Sequence, residues 1–250
     1  MKRSACFIIA LLLIFGAGCA DTAEPAEDLQ GTVYFPEGSN EQTAAYRVSY
    51  RYPQVAVQTE ADEAINAFFD YLMNDMLSFT APLFAQEAES GSGAYTTIDY
   101  RVTCSNEQYF CVLFSQEQFF GAATGFSIAA YPFLRLGDDA GMIVGLPHLL
   151  GLAAPGDHEG LAYERAAQRA NHLIYELVWE IIEEEMTEPG HRYFDGLTAD
   201  DLKAEFYPES DFYLDEDGNP VFFIQPAMIA AGAAGILLFP FSIDELLSEL

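Results

Sequence analysis

The chain has 250 residues, of which 51% are hydrophobic and 14% aromatic, and its formal net charge is −29. A disordered chain lacks this many aromatic residues, so we expect a folded domain with a sizeable core. Nucleic acid is excluded as a partner because it requires a basic surface, whereas a basic protein would be attracted. The alternative is that the acidic residues, which are spread along the chain, only keep the protein soluble.

Residues 1–19 have the pattern of an export signal. Lys2-Arg3 precedes the apolar run Ala5–Phe15, and the small residues Gly16–Gly18 stand directly before Cys19. The apolar run is shorter than the ~20 residues that span a bilayer. We therefore predict a lipoprotein-type signal peptide, with Cys19 as a lipid anchor on the outer face of a bacterial cell membrane. Ordinary secretion with cleavage nearby is the alternative.

The rest of the chain divides into a linker and two halves. Residues 20–30 are polar and lack apolar periodicity, which predicts a flexible linker. An N-terminal half, 31–136, contains strands, a long helix and a meander, and a C-terminal half, 137–250, contains a second long helix, strands and a capped helix. This order predicts an α+β fold with a mostly antiparallel sheet, two long helices and a short C-terminal helix.

The N-terminal half begins with two predicted strands, Gln30–Phe35 and Tyr46–Tyr52, whose alternation and aromatic content suit a half-buried sheet. Pro53 should close the second strand. A long helix follows from Thr59 to about Ala85, and Asp62 three residues after Thr59 forms a near-capping box. Its apolar residues recur at helical spacing on one predicted face: Ile65, Phe68, Leu72, Met76, Phe79 and Leu83.

A meander of three strands is predicted at 95–102, 109–114 and 125–136. Cys104 and Cys111 flank its first turn, a spacing that lets their Cβ atoms approach the ~3.8 Å of a disulfide. Export favours the oxidised pair. Such a disulfide would add roughly 2–3 kcal/mol to the free energy of unfolding. Two free, buried thiols are the alternative. Two cysteines alone do not make a zinc site.

The C-terminal half opens with a second long helix, which we expect to be capped by Asp157 and to end near Met186. Glu183, Glu184 and Glu185 crowd its carboxyl end, where negative charge opposes the helix dipole. We regard these three residues as a candidate acidic docking edge for a partner. A solvated helix face is the alternative.

The tail of the chain predicts two helices and three strands. The turn 216–219 places Gly218 between two strands. Counted from Asp215, the glycine is at position four and Pro226 at position twelve, whereas a calcium loop needs glycine at position six and glutamate at position twelve. We expect the tail strands to share one sheet with the strands near Cys104. The predicted elements are a helix at Thr198–Phe206, strands at Phe212–Leu214, Val221–Gln225 and Ile236–Phe239, and a helix capped by Ser242 and Glu245.

The sequence shows no catalytic motif. Its four histidines, His148, His158, His172 and His191, have no metal-ligand partner at helical or short-loop spacing, and no nucleophile motif is present. We therefore predict no catalytic residue, no metal and no cofactor, and interpret the chain as non-enzymatic. The alternative is a cell-envelope hydrolase that acts on glycan through an acidic pair. It requires a pocket with two convergent carboxylates, one with a raised pKa.

Several short motifs carry a family resemblance from about Tyr46 to Leu250. They are Phe212-Tyr213-Leu214, Asp217-Gly218, Val221-Phe222-Phe223, Gln225-Pro226 and the turn Phe119–Gly125. The pattern resembles the extracytoplasmic domain-of-unknown-function family of RsiV-like anti-sigma factors, a module also appended to PdaC-type deacetylases. The resemblance implies an α+β domain outside the cell and the ability to bind a basic protein such as lysozyme. A cell-wall component is the other partner that we predict. Thr124 stands where the family often has histidine, which removes that side chain here.

Overall fold

The structure, a computed structural model, describes residues 27–88, 93–154 and 156–250. The predicted signal peptide, Cys19 and most of the predicted linker lie outside the described residues. No helix in those three ranges is both long enough and apolar enough to cross a bilayer.

A five-stranded sheet with the order β1-β2-β3-β4-β5 forms the first half of the fold. Its strands are β1 (Glu27–Phe35), β2 (Tyr46–Gln54), β3 (Ala94–Ser105), β4 (Tyr109–Phe119) and β5 (Thr124–Leu134). The pair β2–β3 is parallel and the other three pairs are antiparallel. A parallel pair needs a long crossover, and here α1 (Glu60–Asp75), a π-helix (Met76–Thr80) and α2 (Ala81–Glu87) supply it.

The second half contains the other long helix and a separate three-stranded antiparallel sheet. Its helices are α3 (Leu146–Leu149), α4 (Gly160–Met186), α5 (Ala199–Glu205) and α6 (Ile243–Ser248), and a 3-10 helix covers Gly232–Ala234. The strands are β6 (Phe212–Leu214), β7 (Pro220–Ile224) and β8 (Leu237–Pro240), in that order. The predicted α+β class with mostly antiparallel pairing is confirmed.

The expectation that the tail strands share a sheet with the strands near Cys104 is wrong. The outer edge of β5 is already used, because Leu134 donates its N–H to the carbonyl of Met142, 2.9 Å away. The side-chain amide of Gln225 occupies both backbone groups of Ile128, at 3.1 and 2.6 Å. The tail strands therefore pair with one another, and β6 contacts the first sheet where the Leu214 N–H donates to Cys111 Sγ at 3.4 Å.

Two predicted boundaries at the start of the fold are also wrong. Residues 27–30 are strand rather than linker, because β1 pairs with β2 from Glu27 onward. Pro53 lies inside β2 instead of closing it. The ladder between β2 and β3 ends at Tyr50, so Pro53 stands where β2 has a single neighbour and a missing N–H is tolerated.

The core has two clusters, one on each face of the five-stranded sheet. One lies under α1, where Ile65, Phe69 and Met73 are buried. Phe79 and Leu83, predicted on the same face, are 66% and 61% exposed. The π-helix explains this difference, because its wider turn adds a residue and rotates everything after it.

The other cluster lies between the five-stranded sheet, α4 and the tail strands. The buried line of α4 recurs every four residues: Ala166, Ala170, Ile174, Val178 and Ile182. Asp157 does not cap α4 as expected. The N-cap is Glu159, whose side chain makes no capping bond, and the positive φ of Gly160 starts the helix three residues after Asp157.

Candidate partner-binding surface

The side of α4 opposite its buried line carries an acidic face that reaches the solvent. We define the acidic face as Glu176, Glu180, Glu183 and Glu184, which are all exposed. Glu180, Glu183 and Glu184 follow Glu176 by four, seven and eight residues, so all four side chains lie on one side of the helix. Glu183 and Glu184 are two of the three residues that the sequence predicts as a docking edge.

The charges of α4 run against its dipole. Arg165 and Arg169 lie in the N-terminal half, the acidic face lies in the C-terminal half, and the last turn has no basic residue. Carboxylates near a helix carboxyl end each cost about 0.3–1 kcal/mol at low salt. The buried line of α4 stabilises the helix in spite of this cost. Because the acidic face is exposed, it contributes nothing to that packing.

Glu185 differs from its two neighbours and serves the fold. Its carboxylate accepts two hydrogen bonds from Arg192 Nη2, at 3.1 and 2.8 Å, and one from Tyr193 Oη at 2.7 Å. Burial, and then the bond to Glu185, raise the pKa of the Tyr193 hydroxyl, so it stays a donor. Glu185 thus ties the end of α4 to the segment that follows, and its place in the docking edge stays a prediction.

The two cysteines stand directly opposite each other in the β3–β4 ladder, next to a register shift at Thr103. Both are buried, and the structure has both as free thiols, so the disulfide stays a prediction. Burial raises the pKa of Cys104 to about 12 and that of Cys111 to about 11. Neither thiol is therefore an activated nucleophile at neutral pH.

Protein isolated from an oxidising compartment is expected to resist alkylation of Cys104 and Cys111 until a reductant is added. Reduction should then lower the free energy of unfolding by about 2 kcal/mol, the effect of so short a loop. Mass spectrometry after denaturing alkylation, followed by urea unfolding, measures both. The variant Cys104→Ala is the control, since reductant should leave its stability unchanged. Immediate double alkylation of unreduced wild type contradicts the disulfide.

The fold brings together two histidines that are ten residues apart in the sequence. The rings of His148 and His158 lie 4.7 Å apart, and His158 Nε2 is 3.5 Å from a carboxylate oxygen of Asp139. The other oxygen of Asp139 accepts the N–H of Gly156 at 2.6 Å. In the described part of the chain, no three His, Cys, Asp or Glu side chains converge as metal ligands. The hydrogen bond from Gly156 to Asp139 fastens the loop before α4.

The hydrolase alternative needs an acid with a raised pKa beside a second carboxylate. Burial raises the pKa of Asp211, and the nearby charge of Glu209 adds to that rise. Both oxygens of Asp211 are engaged locally, by the N–H of Tyr207 at 2.8 Å and by the hydroxyl of Ser210 at 3.5 Å. These bonds close the turn before β6, and Glu209 accepts from Asn171 at 2.6 Å. The pair has a structural explanation.

Comparison with known proteins agrees with the fold. No family model and no curated protein matches the chain. It is similar to the crystal structure of a DUF3298 family protein from Pseudomonas aeruginosa, with 15% identity and a TM-score of 0.50, over 88% of this chain and 91% of that one. A DUF3298 family member from Bacteroides fragilis has 12% identity and a TM-score of 0.50, over 90% and 93%. At these identities the likeness shows the fold alone, a DUF3298-like α+β domain, and the RsiV-like resemblance stays a prediction.

Proposed function

We propose that this chain is an exported, non-enzymatic binding protein, anchored at the membrane through Cys19, whose acidic face binds a basic partner protein. The observation that carries the proposal is the set of unpaired carboxylates on α4. Glu180, Glu183 and Glu184 accept no side-chain hydrogen bond and form no ion pair with another described residue. Within the described part of the chain, the Glu176 carboxylate has one partner, His172, whose Nε2 lies 3.1 Å from Oε1.

The geometry of the acidic face suits a protein partner. Eight residues separate Glu176 from Glu184, and at a rise of about 1.5 Å per residue they span roughly 12 Å of helix. A row of lysine and arginine side chains on a partner surface matches this length. The net charge of −29 adds a long-range attraction, which raises the encounter rate with a basic protein.

The export signal and the family resemblance support the same assignment. A leader ending at Cys19 would place the domain on the outer face of the membrane, beside the cell wall. The RsiV-like resemblance implies a basic protein such as lysozyme, or a cell-wall component, in that compartment. Lysozyme is therefore the probe with which the proposal is tested.

Neutralising the acidic face should weaken lysozyme binding about thirtyfold, measured by calorimetry at low salt. Each exposed charge pair contributes about 0.5 kcal/mol, and four are removed in the variant with Glu176, Glu180, Glu183 and Glu184 changed to Gln. The control changes four exposed glutamates elsewhere, Glu37, Glu41, Glu107 and Glu216, to Gln and has the same net charge. We expect the affinity of the control for lysozyme to fall at most about threefold, because only the long-range attraction is reduced.

Equal losses in the two variants would show that net charge alone attracts lysozyme, and would reject the acidic face as a binding surface. Wild type that releases no heat with lysozyme at low salt would reject this class of partner. Circular dichroism of both variants checks that α4 is intact. The α4 variant should be slightly stabilised, since it loses charges that oppose the helix dipole.

A further inference from the structure

A cavity of about 270 Å³ lies between the π-helix and the five-stranded sheet. Its inner wall is apolar and includes Leu72, Met73 and Met76 from the helical side and Phe114 and Tyr131 from the sheet. Four polar residues complete the lining: Asp75, Thr80, Gln116 and Ser127. An apolar wall with a few polar groups is typical of a small-molecule site.

The cavity has a clear origin in the backbone and in the side-chain sizes. The Ala81 N–H donates to the carbonyl of Met76, five residues earlier, which widens this turn of the helix. Below it, the large rings of Phe114 and Tyr131 give way along β4 and β5 to Gln116 and to small residues such as Ala129. The result is a partly open gap between the helix and the sheet, where protein interiors are normally close-packed.

The four polar side chains of the cavity are not used by the fold. None of Asp75, Thr80, Gln116 and Ser127 has a side-chain hydrogen bond or an ion pair with another described residue. Asp75, Thr80 and Gln116 are half-buried and Ser127 is exposed, so these polar groups are open to water or to a ligand. Next to them on β4, Gln118 Nε2 is buried without a hydrogen-bond partner.

The chemistry of the lining selects one class of ligand. The apolar wall accepts a hydrocarbon body, and a volume above the about 150 Å³ that holds benzene accommodates one ring or a chain of about six carbons. The Asp75 carboxylate favours a positively charged hydrogen-bond donor. The side-chain carbonyl of Gln116 and the hydroxyls of Thr80 and Ser127 can accept further N–H bonds. An anion would be repelled by Asp75 and by the net charge of −29.

We propose that the cavity under the π-helix binds a small amphipathic amine, with its hydrocarbon body against Phe114 and Tyr131 and its ammonium group at Asp75. Most of the site lies on the opposite side of the five-stranded sheet from α4, since its apolar wall belongs to or borders the cluster under α1, and only Ile128 of the lining belongs to the cluster on the α4 side. The inference is therefore independent of the acidic face and of its partner.

Calorimetric titration of the purified protein with four probes tests the assignment. We expect n-hexylamine to bind about tenfold more tightly than 1-hexanol, because only the amine pairs with Asp75, and we expect hexanoate not to bind. Methylamine has the charge without the chain, and its lack of saturable binding would show that surface attraction alone is insufficient. Equal affinity for hexylamine and hexanol would overturn the amine assignment.

Two variants locate the site, and the first has a matched comparison on the same helix. Asp75→Asn should weaken hexylamine binding about tenfold and leave hexanol binding unchanged. Glu63→Gln, which changes an exposed residue of the same helix, should alter the binding of neither probe. Ala129→Phe fills the cavity from β5 and should abolish binding of both probes. Hexylamine binding that survives Ala129→Phe would overturn the site, as would a wild type that binds no probe. The probe series on wild type decides the amine assignment even if a variant fails to fold.

Discussion

Phe222→Ala is expected to lower the free energy of unfolding by about 4 kcal/mol, the largest effect of any single change considered for this chain. Phe222 lies at the centre of β7 and has no exposed surface. Its ring packs against Phe206 at 6.2 Å, Phe212 at 5.8 Å and Phe241 at 5.9 Å, measured between ring centres. Alanine removes the buried ring and leaves a cavity that these three neighbours cannot fill without moving.

Urea unfolding followed by the fluorescence of the single tryptophan, Trp179, measures this loss, because Trp179 packs against the same core cluster. Leu238→Ala on the adjacent strand β8 is the control. Leu238 is 44% exposed, so its truncation should cost less than about 1 kcal/mol. Similar losses at Phe222 and Leu238 would contradict the position of β7 as the buried centre of the second sheet.

Asp62→Ala should lower the free energy of unfolding by about 3 kcal/mol, because Asp62 both caps a helix and forms a buried ion pair. Its side chain is fully buried. One oxygen accepts the N–H groups of Gln58 and Thr59, both at 3.0 Å, and the other lies 3.3 Å from Arg135 Nη2. Alanine leaves the guanidinium of Arg135 without this partner and frees two backbone donors at the start of α1.

The pH dependence of this loss has a defined sign. Burial alone would raise the pKa of Asp62, but the hydrogen bonds from Gln58 and Thr59 and the charge of Arg135 outweigh it, so the pKa is lowered. A lowered pKa in the folded state adds stability above the unfolded value of about 3.9, and this is lost as pH falls through the folded value. The stability difference between wild type and Asp62→Ala should therefore be largest at neutral pH and shrink below pH ~4.

Asp201 provides the matched control, since Thr198 and Asp201 form the same capping box at α5. That box is exposed and has no arginine partner, so Asp201→Ala should cost clearly less than Asp62→Ala. Chemical unfolding of the three proteins between pH 2 and 7 gives all the differences. Equal losses at the two caps would show that Arg135 contributes nothing to the effect.

Several local signals of this sequence predict the structure correctly, although Asp157 and Pro53 do not end up in the roles expected of them. The Thr59–Asp62 and Ser242–Glu245 capping boxes are both present with reciprocal hydrogen bonds. The turn at Gly218 joins β6 and β7 with a positive φ, as predicted. Each of these features depends on residues within four positions of one another, where chain geometry leaves few alternatives.

Features that depend on distant residues were not predictable from the pattern. The assignment of β6 to a second sheet depends on the edge of β5, which is occupied by Met142 and Gln225. The role of Glu185 depends on Arg192 and Tyr193, while Glu183 and Glu184 beside it stay free for solvent. Identical neighbours in a sequence thus receive different roles from contacts made elsewhere in the fold.

The candidate cavity illustrates the same limit. Its lining comes from α1 and the π-helix, and from β3, β4 and β5. Helical periodicity placed Phe79 and Leu83 in the core, and only the wider π turn moves them outward. Because a π-helix has no reliable sequence signature, neither the cavity nor its unused polar groups could be derived from spacing.

The Gln225 amide affects how neighbouring copies of this protein can associate when they are close together. It occupies the N–H and the carbonyl of Ile128 together, on a strand at the margin of its sheet. A strand from a neighbouring copy finds neither a donor nor an acceptor at that point, so the sheet cannot extend from molecule to molecule there. One side chain thereby blocks strand addition at this point of the β5 edge.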